Sequence, residues 1–232
     1  MYLKEWAQKS PDGFKHKSFN WIVRRLFGLN HRYELFLYLL YSRYFNGRKI
    51  NVMDIGAGSG YALSYENPNI SRYAVDNDVH FESEFSGKNI RFIQYDIESY
   101  EMSKLIDAAG CKADLLFLNQ VIEHIQHPVR FVAEIGKLLN PGGIAYVRTP
   151  DIQKFKFEFY NDYSHVRPFT KYSLQQLFKT NGFEIISNRN SSTLLFYLQA
   201  LPIPRIIKNI LGFDRLGRDI ELVVRRSSES TS

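Results

Sequence analysis

Apolar positions follow two different periods along this chain, and the alternation marks out its elements. Short, mostly apolar runs bounded by turn residues predict strands at 50–55, 71–76, 90–96, 113–119 and 143–148. Between them lie segments predicted as helices near 60–66, 79–85, 99–109 and 128–139. The last of these is the best marked. Pro128 suits an early helical turn, Val129, Val132, Ile135, Leu138 and Leu139 share one face, and Asn140-Pro-Gly-Gly143 ends it. Strand alternating with helix predicts parallel βαβ units, hence an α/β, doubly wound sheet.

Upstream, Phe19, Ile22, Val23, Leu26 and Phe27 form one helical stripe, and 33–45 is apolar nearly all round, as a buried helix would be. Downstream, Thr170 opens a helix near 171–181 that Asn181-Gly182 stops, and strands follow at 183–188 and 219–226. The organisation expected is a helical cap over 1–49, a main domain over 50–226 with inserts at 151–168 and 194–215, and a disordered polar tail at 227–232.

The most informative stretch is Val52-Met-Asp-Ile-Gly-Ala-Gly-Ser-Gly-Tyr61. Glycine is needed where backbone turns sharply after a strand and lies close to a ligand, because a Cβ would collide there. The Gly-x-Gly-x-Gly spacing is tighter than the Gly-x-Gly-x-x-Gly of dinucleotide sites. Asp54 precedes it inside the strand end, where an acid repels a pyrophosphate but suits a ligand with a positive centre. Asp76 ends the second strand, 18 positions beyond Gly58, Asp96 ends the third and Asn119 the fourth. A carboxylate at a second strand tip can accept both ribose hydroxyls.

This joint pattern closely resembles class I S-adenosylmethionine-dependent methyltransferases over residues 50–190. The resemblance implies a Rossmann-like sheet, mostly parallel with an antiparallel closing strand, plus N-terminal helices over the cofactor or the substrate. It also implies S-adenosylmethionine as cofactor. Gly56, Ala57, Gly58 and Gly60 would wrap its aminoacyl part, with Asp54 stabilising the amino group. Asp76, with Asn77 beside it, would hold the ribose, and Asp96 and the Ile97 backbone would meet the adenine. Asn119 would touch the methionine end. Each acid could instead cap a helix or sit in a solvated loop.

Composition narrows the partners. At 232 residues with 44% hydrophobic content, this is one ordinary domain with enough apolar matter for a core. The formal charge of +6 suits either an anionic partner or a solvated basic surface, and no Lys/Arg block of nucleic-acid-binding density is present. Cys111 is the only cysteine, which excludes a multi-cysteine zinc site and a disulfide framework; it reads as a buried structural thiol. No metal is expected. The N-terminus lacks signal-peptide features, so the expected setting is cytoplasmic. Residues 194–204 carry no charge, and Arg205 and Lys208 follow. The run is too short and too interrupted to span a membrane. It fits a peripheral membrane contact, a roof over the site, or a hairpin packed on its own domain.

Absences bear on the acceptor. The fourth strand runs into Asn119-Gln-Val-Ile, not the Asn-Pro-Pro-Tyr type of segment of enzymes methylating base amines. There is no Pro-Cys pair and no paired-glutamate loop of the protein arginine branch. Gln120–Ile125 and His165–Thr170 instead resemble the branch of ubiquinone-type O-methyltransferases and enzymes acting on small molecules and glycans. The expected acceptor is therefore a small molecule or glycan, free or lipid-linked, with nucleic acid disfavoured. RNA methylation, or donor binding without catalysis, are the alternatives. His165 and His124 compete as the general base, since neutral histidine accepts a hydroxyl proton near pH 7. Tyr160, Tyr163 and Arg167 are candidates for holding an anionic or aromatic acceptor.

Overall fold

The computed structural model describes residues 24–29, 34–191 and 217–227. Seven strands form one sheet: β1 Ile50–Ile55, β2 Ile70–Asp76, β3 Ile90–Gln94, β4 Ala113–Asn119, β5 Leu139–Pro150, β6 Phe183–Ser191 and β7 Asp219–Arg226. Their order is β3-β2-β1-β4-β5-β7-β6. Strands β1 to β5 pair in parallel, and β7 lies antiparallel between β5 and β6. The helices are α1 Glu34–Tyr44, α2 Met102–Ala109, α3 Pro128–Leu138, α4 Ile152–Phe155 and α5 Lys171–Thr180. The doubly wound sheet with its single antiparallel strand is the expected fold.

Both faces of the sheet are covered, which is why its strands are near-continuous apolar runs. Met53, Ile55, Leu116, Leu118, Ala145 and Val147 belong to one buried cluster with residues of α2, α3 and α5. Val52, Leu115, Phe117, Ile144 and Tyr146 form the other with Leu37, Leu40 and Tyr41 of α1. Phe36 of α1 packs on Phe117 and Tyr146, ring centroids 5.0 and 4.7 Å away. Within the expected N-terminal cap, α1 is thus a packing helix against the sheet. The stripe through 19–23, the run 194–213 and nearly all of the tail lie outside the described residues.

Several boundaries differ from expectation. The segments at 60–66 and 79–85 contain 3₁₀ turns, Tyr61–Leu63 and Val79–Phe85, instead of α-helices. The helix expected from 99 begins at Met102, after a separate turn, Ile97–Ser99. Asn140-Pro-Gly-Gly143 lies within β5, because Leu139 already pairs with Ala113. Cys111 is half-buried, not buried.

Candidate active site at the carboxyl edge

The sheet order reverses between β1 and β4, since the chain runs outward through β2 and β3 and then returns to β1's other side. Ligands of open α/β sheets bind in the crevice at such a switch point, beyond the carboxyl ends of the strands. The glycine loop lies there. Gly56 and Ala57 donate their N–H groups to Val75 O at 2.8 and 3.1 Å, which draws the loop across the tip of β2. Gly56 and Gly60 have φ of +68° and +71°. A Cβ at 56 would lie 2.7 Å from Val121 Cγ2, and one at 60 would lie 2.3 Å from Phe85 Cε1. Conformation and packing both demand glycine at these two positions. At Gly58 a Cβ would meet only Phe81 Cζ, at 4.0 Å, an ordinary contact, so the middle of the loop is not crowded.

Asp76 ties this loop down. Its Oδ2 accepts the Gly58 N–H at 2.9 Å and its Oδ1 accepts the Asp78 N–H at 3.0 Å. A carboxylate offers about four lone-pair sites, so acceptor capacity remains on each oxygen. Asn77 beside it is exposed, as are Asp96 and Asn119 at the tips of β3 and β4. Asp96 caps the turn Ile97–Ser99 by accepting the Glu98 N–H at 2.9 Å, and Ile97 is half-buried. Asp54 is only 3% exposed. Burial first, and then the nearby Asp76 charge, push its carboxyl from 3.8 to about 8.

A second group of side chains gathers where the turn Ile122–His124 meets the insert after β5. The Glu123 carbonyl accepts the N–H groups of Val166 and Arg167, both at 2.9 Å, and Arg167 Nη2 donates to Gln126 O at 3.2 Å. His124 Nδ1 lies 3.1 Å from Ser164 O, and His165 Nδ1 lies 2.7 Å from Phe159 O. A carbonyl oxygen only accepts, so each Nδ1 carries the proton and each Nε2 keeps a lone pair. The two rings are 4.9 Å apart. Burial pushes His124 below its ordinary range, with the neighbouring His165 acting in the same sense and its bond to Ser164 opposing.

Glu123 lies within Gln120–Ile125, and nothing in the local sequence assigns it a role. It is fully buried, and burial pushes its carboxyl from 4.5 to about 8. Oε2 accepts from Thr149 Oγ1 at 2.9 Å, while Oε1 is buried without a hydrogen-bond partner. Glu123, His124 and His165 each offer one ligating atom, all within 4.8 Å of one another. Two imidazoles and a carboxylate are a donor set that could hold a divalent transition metal. Tyr160 and Tyr163, 57% and 98% exposed, stand outside this cluster on the insert surface.

A family profile described as a methyltransferase domain matches residues 29–188, well over half of the chain. The chain belongs to this methyltransferase family. The ubiquinone biosynthesis O-methyltransferase of Rickettsia prowazekii is 27% identical over 165 residues, covering 66% of this chain and 63% of that protein. The probable S-adenosylmethionine-dependent methyltransferase of Mycolicibacterium smegmatis is 27% identical over 139 residues, covering 58% and 52%. The chain thus spans less than two thirds of the length of these curated relatives. Among solved structures, the plantazolicin methyltransferase BamL, in complex with a triazolic desmethylPZN analogue and SAH, superposes with a TM-score of 0.60 at 16% identity, covering 92% of this chain and 91% of that one. An S-adenosylmethionine-dependent methyltransferase from Archaeoglobus fulgidus gives 0.56 at 17%, covering 88% and 98%. At such identities these likenesses bear on the fold alone.

The family's cofactor is S-adenosylmethionine, and the residues of this methyltransferase fit it. Gly58 presents uncrowded backbone without a Cβ, Asp76 retains acceptor capacity for hydroxyls, and Asp54 places a buried acid at the end of β1, just before the loop, for an ammonium. Asp54 also makes a stability prediction. Its folded value lies above the unfolded one, so the folded chain binds more protons between 3.8 and about 8, and stability falls as pH rises through that window. Glu123 contributes with the same sign from 4.5 to about 8. Urea unfolding of Asp54→Asn is expected to show a flatter decline than wild type across the window. Parallel pH profiles would reject the assignment.

Proposed function

We propose that this protein transfers a methyl group from S-adenosylmethionine to a hydroxyl oxygen of a small-molecule or glycan acceptor. The observation that carries the reading is that His124 and His165 each turn Nδ1 to a backbone carbonyl oxygen, a contact that in the neutral ring favours the Nδ1–H tautomer and an Nε2 lone pair at the carboxyl edge of the sheet. The cofactor supplies an electrophilic methyl on a positively charged sulfur with a neutral leaving group. The protein's part is then largely positional, and holding reactants in line supplies a large share of such rates.

Asp54, Gly56, Gly58, Gly60 and Asp76 hold the donor's polar end and ribose in this reading, with Asp96, Ile97 and Asn119 bordering its other parts. His165 Nε2 takes the hydroxyl proton and Arg167 flanks the approaching acceptor, while Tyr160 and Tyr163 stand on the outer surface of the insert. The ubiquinone-type name of the R. prowazekii relative supports an oxygen acceptor.

The test is incubation of the protein with methyl-labelled S-adenosylmethionine and fractionated small-molecule, glycan and RNA extracts, with mass spectrometry of the labelled product. Label in an O-methylated small molecule or glycan is the expected result. Label confined to RNA, together with salt-dependent RNA affinity, would replace this reading with the one that the +6 charge favours. Turnover is expected to survive prolonged EDTA treatment. Its loss, restored by a divalent ion, would turn the Glu123, His124 and His165 cluster from base to metal site.

A further inference from the structure

The insert after β5 buries one aromatic ring and presents several others outward. Its 3₁₀ turn, Lys156–Asn161, has about three residues per turn, so side chains three apart share a face. Phe157 and Tyr160 lie on such a face, 89% and 57% exposed, and Tyr163, just beyond the turn, is 98% exposed. Phe159 points the other way. It is fully buried and packs against the His165 ring at 4.6 Å. The base beneath the outward rings is tied down by Ile152 N–H to Phe169 O at 2.9 Å and by the bonds of Val166 and Arg167 to Glu123 O. Val166 and Tyr172, 40% and 73% exposed, extend the patch. Single exposed apolar residues are ordinary, but five in sixteen consecutive positions on an anchored segment mark an interaction surface.

Charge selects the partner. Lys154, Lys156 and Arg167 are exposed on the same segment. Its two exposed acids are Glu158, paired with Arg218 at 2.5 Å, and Asp162, which the Ser164 hydroxyl and N–H hold in its ionised form and which lies 3.9 Å from His165 Nε2, so cations exceed anions on the segment. Beside the patch runs a cleft of about 840 Å³ with the same chemistry, lined by Pro128, Val129, Phe169 and Leu177 and by the guanidinium-bearing Arg130 and Arg167. Aromatic rings with a polar tip, aliphatic side chains and an excess of cations together match the interfacial zone of an anionic bilayer.

We propose that the outward face of residues 154–172 docks this protein on an anionic lipid surface. The consequence for substrate class, which rests on the methyl-transfer reading, is that the acceptor is met at a membrane and carries an apolar chain.

Flotation of the full chain with vesicles tests the docking without any turnover. Binding is expected to vesicles of phosphatidylcholine containing phosphatidylglycerol, to weaken at high salt, and to be slight with phosphatidylcholine alone. Phe157→Ser should lower the bound fraction about tenfold, as expected for one large apolar group withdrawn from the interface. The double variant Lys154→Glu, Lys156→Glu should abolish the preference for the anionic lipid. Neither variant touches the donor cradle, so S-adenosylmethionine affinity by calorimetry should match wild type and shows that each is folded. Wild type that fails to float overturns the proposal, and so does full binding by both variants, which would move docking elsewhere, for example to 194–213. Concentration-dependent self-association lost in Phe157→Ser, without vesicle binding, would instead make the face a contact between copies. Each of these failures leaves methyl transfer to a water-soluble acceptor intact, whereas failure of transfer leaves the flotation result standing.

Discussion

His165→Ala is expected to lower kcat by ~10²–10⁴ while S-adenosylmethionine affinity stays within about twofold of wild type. The imidazole is held on two sides, by its Nδ1 contact to Phe159 O at 2.7 Å and by the Phe159 ring. In the Nδ1–H tautomer that this contact favours, its remaining nitrogen, 3.9 Å from Asp162 Oδ2, keeps the lone pair that a proton acceptor needs. The same contacts give the ring a structural role, so alanine alone leaves basicity and anchoring mixed. His165→Gln separates them. A glutamine amide can donate to the Phe159 carbonyl as Nδ1–H does, yet has no basic atom near pH 7. If His165 is the base, glutamine should be nearly as poor as alanine. Recovery of kcat by glutamine would reduce His165 to a positioning residue. Normal turnover by His165→Ala on the true acceptor would remove it altogether, leaving His124 or proximity alone. His124 stands 4.9 Å away with its own Nδ1 directed to Ser164 O, so the pair calls for both single substitutions and the double.

The strand tips were legible because each rests on a local rule. The glycines at 56 and 60 follow from positive φ and a forbidden Cβ, and Asp76, Asp96 and Asn119 follow from where apolar runs stop. What could not be read depends on distance along the chain. Seven residues cannot separate a period of about 3.0 from one of about 3.6, so Val79–Phe85 reads as α-helix until its hydrogen bonds are known. Glu123 gains its meaning from Thr149, which is 26 positions away. The position of β7 between β5 and β6 is likewise a tertiary matter. It is fixed by buried polar pairs such as Tyr146 with Glu221, 75 positions apart at 2.9 Å, and by the ion pairs Arg148–Asp219 and Arg189–Glu221. Alternation of apolar and polar residues cannot announce charged groups that are buried because they meet each other. The exposed rings of the insert illustrate the converse. Sequence composition nominated Tyr160 and Tyr163, but only the fold shows that Phe159 is the ring turned inward.

Asp76→Ala should weaken S-adenosylmethionine binding at least tenfold, about 1.4 kcal/mol. The side chain has two duties that alanine removes together. It receives the ribose hydroxyls in the proposed complex, and it holds the glycine loop through Gly58 N–H at 2.9 Å and the following turn through Asp78 N–H at 3.0 Å. Asp76→Asn distinguishes charge from shape. One amide atom can still accept, but the NH₂ must face a backbone N–H that needs an acceptor, so affinity falls here too. A second readout is independent of affinity itself. The Asp76 charge helps to hold Asp54 near 8, so its removal shifts the Asp54 ionisation downward. Donor binding by wild type should strengthen as pH rises toward about 8, because the ionised carboxylate is the form that meets an ammonium. In Asp76→Asn the midpoint of that rise should move to lower pH, and in Asp54→Asn the rise should vanish. Calorimetry across the window gives all three profiles. Equal affinity in wild type and Asp76→Ala would sink the donor assignment, whereas weakened binding with an unmoved midpoint would keep Asp76 in the site and uncouple it from Asp54.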